Sequence, residues 1–202
     1  MTALEALKIH LQDMMQMRLS MIPEGHDQSY FGMEDFVLDR GYEFKSASLT
    51  DEEMEIVRRA VQFPGCGLRA KECYYNAQML ALHEPELTYY EGYAFGLIPT
   101  PHAWVATKSM KVVDLTWRRT EHGTWFEYEP EVDLSTRVLG EIPEGIAYIG
   151  VGFPTEMIRE EIFKTESAHS FLDDWRNDFP LLKWPRVSPK SRLQSIADEI
   201  GA

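Results

Sequence analysis

The chain changes its hydrophobic period in the middle, and that change limits the folds open to it. Leu87-Thr88-Tyr89-Tyr90-Glu91-Gly92-Tyr93-Ala94-Phe95 is rich in β-branched and aromatic residues and reads as a strand. His102 to Thr107 reads as a second strand and Lys111 to Trp117 as a third, with Lys108-Ser109-Met110 as the tight hairpin turn between them. Thr124 to Tyr128 and Ile146 to Val151 offer two more strands. Turns this short join antiparallel neighbours.

On either side the period is helical. Leu4, Leu7, Leu11, Met14, Met15 and Met17 mark an amphipathic helix over 3–21. Thr50-Asp51-Glu52-Glu53 carries a capping box and an acidic first turn, so a helix runs from there to about Gln62. Phe63-Pro64-Gly65-Cys66-Gly67 breaks it, and a second helix starts near Lys71 or Glu72 and ends before Pro85. Residues 22–49 read as a loop with short pieces of structure. After Pro154, helices are expected over Thr155–Lys164, over Ser167–Asp178 with Ser167 as cap, and over 191–200. The expected class is α+β, with N-terminal helices packed on a central antiparallel sheet and added C-terminal helices. We expect one domain over 1–202, with 155–202 as a helical C-terminal extension.

Composition narrows the function. Net charge is −13 with the acids spread along the chain, which gives an acidic surface and disfavours nucleic acid as a partner. No apolar run is long enough to span a membrane, so no membrane partner is expected. The two cysteines lack a CxxC spacing and the six histidines show no HExxH pattern, so neither a metal nor any other cofactor is expected. With so few cysteines, placed so close together, the chain reads as cytoplasmic with reduced thiols.

Three residues carry chemistry by their order. Cys73 opens a helix, His102 lies on one strand, and Asp114 lies on the next. The free N–H groups of a helix start favour a thiolate. An imidazole can take the thiol proton, and a carboxylate beyond the ring fixes its tautomer. The twelve-residue offset between His102 and Asp114 is even, so a hairpin can place both on one face, and the Cys73 helix could pack against that face. Tyr74, Tyr93 and Trp104 are the expected substrate-binding residues, since Tyr74 follows the thiol and Trp104 shares the strand face of His102. Gly92 suggests a bulge or a close backbone approach. Gln62 is a candidate oxyanion donor beside the Cys73 backbone N–H. Cys66, in a Pro-Gly-Cys-Gly loop, is the rival thiol, and Asn76 reads as structural.

The pieces Cys73-Tyr74-Tyr75-Asn76-Ala77, Glu91-Gly92-Tyr93-Ala94, His102-Ala103-Trp104-Val105 and Val113-Asp114-Leu115-Thr116 resemble the core of the transglutaminase-like, or papain-like, cysteine enzyme superfamily. The resemblance covers roughly residues 65–118. It implies a papain-like fold with Cys73 as nucleophile, His102 as general base and acid, and Asp114 as orienting carboxylate. The function then expected is a cysteine-dependent acyl-transfer enzyme working through a thioester, as an amide or peptide hydrolase or an acyltransferase. Its substrate would be a peptide, a protein or a small acyl or amide compound. The alternative is a catalytically idle papain-like fold used as an acidic protein-interaction or inhibitor module, phage- or host-directed.

Overall fold

A computed structural model of the chain describes residues 1–21, 28–63, 68–118, 128–129 and 132–187. The described elements begin with helix α1 (Ala3–Leu19), helix α2 (Met33–Arg40), strand β1 (Tyr42–Glu43), helix α3 (Asp51–Val61), strand β2 (Leu68–Arg69) and helix α4 (Cys73–His83). Strands β3 (Leu87–Phe95), β4 (Pro99–Thr107), β5 (Val112–Arg118), β6 (Tyr128–Glu129), β7 (Arg137–Leu139) and β8 (Ala147–Phe153) follow, then helix α5 (Thr155–Thr165). A six-stranded antiparallel sheet runs β1-β8-β3-β4-β5-β7, and β2 pairs separately with β6. The class is α+β, with the N-terminal helices packed on the sheet.

The capping signals act as read. Thr50 accepts from Glu53 N and the Glu53 carboxylate accepts from Thr50 N, closing the box that starts α3. α1 starts on a second such box, between Thr2 and Glu5, that the sequence reading did not single out. Between β4 and β5, Met110 takes a left-handed φ of 62° to close the turn.

The sheet has two buried faces. On one, Ala77 and Leu80 of α4 and Leu7 and Leu11 of α1 pack against Tyr89, Tyr93, Ala103, Val105, Val113 and Ile149. On the other, Trp104, Tyr90, Tyr148, Phe44 and Val138 form an aromatic-rich cluster. Small residues let the second cluster close. A Cβ on Gly150 would sit 2.5 Å from the Trp104 ring, and one on Gly92 would sit 2.1 Å from the Ile149 carbonyl oxygen. Gly92 is therefore a close-approach glycine, and its strand keeps an unbroken register with β4. On the same face the Tyr148 hydroxyl of β8 reaches Asp114 of β5. The two strands lie three positions apart, about 14 Å in a flat sheet, so this bond bridges β3 and β4.

One of the expected helices does not form, and other expected segments take a definite shape. The short pieces of structure expected in 22–49 are β1 and a two-turn helix, α2, which has no side-chain cap. Tertiary ion pairs hold it instead: Arg18 from α1 on Glu34, and Arg186 on Asp35. The helix expected over Ser167–Asp178 does not form. The backbone N–H groups of Phe171 and Leu172 donate to the buried Glu91 carboxylate at 2.7 and 3.1 Å, and Glu166 turns the chain left-handed after α5. Among the described residues that follow, the only helical pieces are short 3₁₀ turns, Trp175–Asn177 and Pro180–Lys183. Residues 155–187 also share the main core, through Ile158, Phe171, Leu172, Leu181 and Leu182. The strand expected at Thr124–Tyr128 lies mostly outside the described residues, and the terminal helix over 191–200 lies wholly outside them.

Candidate active site

The chain approaches α4 through β2 and a left-handed Lys71 (φ 65°), and no side chain caps the helix start. Asn76, one turn into the helix, fixes this approach. Its Oδ1 accepts from Arg69 N at 2.9 Å, and its Nδ2 donates to Arg69 O at 2.8 Å and to Thr116 Oγ1 at 3.1 Å. Asn76 is structural, and it ties the Cys73 end of α4 to β5 just past Asp114.

The β4–β5 register pairs Val105 with Val113 and Ala106 with Val112. Continued one step it places Asp114 opposite Trp104 and diagonal to His102, within reach of side chains on one face. His102 Nε2 and Asp114 Oδ2 lie 2.8 Å apart, with side chains 3% and 1% exposed. Beyond Asp114 the ladder breaks, because Asp114 Oδ1 accepts from Thr116 N at 2.9 Å and Trp117 N at 3.1 Å. The β5–β7 register shifts at the same point.

The face differs from the one expected. His102 packs near Trp104, Trp117 and Tyr148, with ring centroids 6.2, 4.8 and 6.4 Å away, so the pair belongs to the aromatic face. α4 covers the opposite face. The Cys73 thiol nevertheless acts on the imidazole electrostatically, adding to the upward push on the ring. Asp114 takes Nε2, so Nδ1 is the ring's other nitrogen.

Burial alone would push the His102 ring toward its neutral form. The charge and hydrogen bond of Asp114 outweigh it, with Cys73 adding to them, and the ring is pushed up to about 10. Burial would likewise raise Asp114, but His102 and the two backbone N–H groups hold it below the usual carboxylate range. At neutral pH the pair is imidazolium and carboxylate.

Of the expected substrate-binding residues, Trp104 is 1% exposed and stacks inside the aromatic cluster rather than walling a groove. Tyr93 is interior too, its hydroxyl donating to Glu34 Oε1 at 3.0 Å. Tyr74 is half-buried beside Cys73, and burial pushes its hydroxyl well above the ordinary tyrosine value. Gln62 is not brought to the site: it lines a surface pocket with Arg59, Phe63, His83 and Glu84, at the opposite end of α4. Cys66 lies outside the described residues. Cys73 itself is 8% exposed.

Sequence reasoning missed two residues. Tyr148 donates to Asp114 Oδ2 at 2.9 Å, on the same oxygen as His102. Glu91 is fully buried, forms no ion pair among the described residues, and accepts from Tyr89 Oη, Ser170 Oγ, Phe171 N and Leu172 N. A lone buried acid on a central strand was the one signal for Glu91. Nothing local marks Tyr148.

Among the described residues no cluster of three or more His, Cys, Asp or Glu could hold a metal ion. No described helix is long and apolar enough to cross a membrane. Compared with protein families, curated proteins and solved structures, the chain matches none of them.

Proposed function

We propose that the chain is a cysteine-dependent acyl-transfer enzyme with a papain-like core, in which Cys73 is the nucleophile, His102 the acid and base, and Asp114 the orienting carboxylate. The observation that carries this reading is the buried His102–Asp114 pair at 2.8 Å, whose ring is also pushed up by the Cys73 thiol. A charged ring beside a thiol can hold a thiolate as an ion pair. The thiolate attacks an acyl carbonyl, and the negative oxygen that forms can be met by backbone N–H groups of the uncapped α4 start. His102 then passes its proton to the leaving group. The thioester on Cys73 is cleaved by water or by an acceptor, with His102 as base. Hydrolysis is preferred, since water needs no second binding site.

An electrophilic acyl probe with mass mapping tests the reading. Wild type should carry a hydroxylamine-sensitive adduct on Cys73, and Cys73→Ala should carry none. Labelling confined to Cys66, or none at all, ends the proposal.

The 8% exposure of Cys73 favours a second reading, in which the fold is kept as a binding module and the site is idle. That reading expects a protein unmodified at Cys73 after long exposure to the probe, and still folded.

A further inference from the structure

We infer that Tyr148 is a positioning residue of this site, clamping Asp114 against His102 from a strand three positions away in the sheet. The inference rests on the cysteine-enzyme reading above.

An ionised carboxylate offers about four acceptor positions. In Asp114 all four are filled: Oδ1 by Thr116 N and Trp117 N, Oδ2 by His102 Nε2 and the Tyr148 hydroxyl. The two backbone donors come from the residues that follow Asp114, and hold Oδ1. The orientation of Oδ2 is left to two side chains, and Tyr148 is the one that does not titrate in the working range. Burial and the Asp114 charge push its hydroxyl well above the ordinary tyrosine value, so it stays protonated and donates. The phenol is fully buried and wedged by the Trp104 ring at 5.1 Å, so it cannot swing away.

The consequence is directional. With Oδ2 held at Nε2, the imidazole keeps one orientation and its charged form stays supported. Without the phenol oxygen, Oδ2 has His102 alone, and the carboxylate takes up a proton at higher pH. A protonated Asp114 no longer supports a charged ring. Tyr148 thus acts through Asp114 and never touches the substrate.

A core tyrosine whose hydroxyl merely found a convenient acceptor gives a different result in experiment. The test is the pH profile of Cys73 alkylation by iodoacetamide, followed by mass mapping in wild type, Tyr148→Phe, Asp114→Asn and the double variant. Phe keeps the ring and removes one oxygen. The expected result is an acid limb displaced upward in Tyr148→Phe by about one pH unit, since one hydrogen bond to the charged form is lost. The double variant should match Asp114→Asn alone. A Tyr148→Phe profile that superimposes on wild type overturns the inference, as does a Tyr148 effect that persists undiminished in the Asp114→Asn background. If Tyr148→Phe does not fold, 3-fluorotyrosine at position 148, a stronger donor of nearly equal shape, should move the limb downward; an unmoved limb overturns the inference. Failure of the underlying reading looks different: wild-type Cys73 alkylates no faster than a free thiol at any pH, and both fall together.

Discussion

At the scale of single residues, the His102–Asp114 pair sets a pH window. The ring is raised in the folded state to about 10. Its contribution is therefore complete below the unfolded value of about 6.5 and is lost as pH rises through about 10. Asp114 is lowered, so its contribution is complete above about 3.9 and is lost as pH falls through its folded value. Thermal stability should accordingly decline on the alkaline side, between about pH 6.5 and 10. Asp114→Asn should cost about 3–5 kcal/mol at neutral pH, because it strands a buried charge, and should flatten that decline. Urea unfolding of both proteins from pH 4 to 10 checks this; parallel curves would show that the pair is not coupled to folding. The pair was legible in the sequence because an even offset and a short turn fix relative faces. Which face was not legible, because Trp104 and Val105 are both apolar and either side of β4 could have met α4.

At the scale of elements, Glu53 joins two pieces. It closes the α3 capping box, accepts from Lys111 Nζ at 2.7 Å and Thr107 Oγ1 at 2.9 Å, and is bonded by Ser109 Oγ. The same carboxylate that starts the helix thus holds the β4–β5 turn. Burial would raise it, but Lys111 and the hydroxyl and backbone donors bring it down to about 2. Its contribution is complete above about 4.3 and disappears as pH falls through about 2. Glu53→Gln should cost up to about 3 kcal/mol at pH 7 and much less near pH 2, measured by urea unfolding. A cost independent of pH would mean the charge has no part in it. The capping box was visible in Thr50 and Glu53 alone. The link to the turn was not, because it depends on a helix and a hairpin meeting across more than fifty residues of chain. The lost helix over Ser167–Asp178 has the same cause: a local cap at Ser167 was outbid by a distant carboxylate on β3.

At the scale of the whole molecule, Glu91 is the fastening between the sheet and the C-terminal part of the chain. Its four donors leave no acceptor position open, and Gln78 Nε2 adds a bond to His169 O at 2.7 Å from α4. Glu91→Ala strands several buried polar groups at about 1–3 kcal/mol each, so a loss of at least about 3 kcal/mol is expected. Amide exchange should rise first at Phe171 and Leu172, in a variant whose β3–β4 amides stay protected. Uniform loss of protection across the chain would instead make Glu91 a part of the global core.

The strand order also has a temporal meaning. β3, β4 and β5 are consecutive and can zip up as they leave the ribosome, which brings His102 beside Asp114 early. β8 is made later, yet it takes the place between β1 and β3. A nascent chain therefore carries the histidine and the aspartate for some time before Tyr148 arrives, with one long edge of β3 unpaired. Synthesis past Phe153 both shields that edge and completes the carboxylate's set of donors, so the moment the sheet becomes safe from aggregation is also the moment the site is finished.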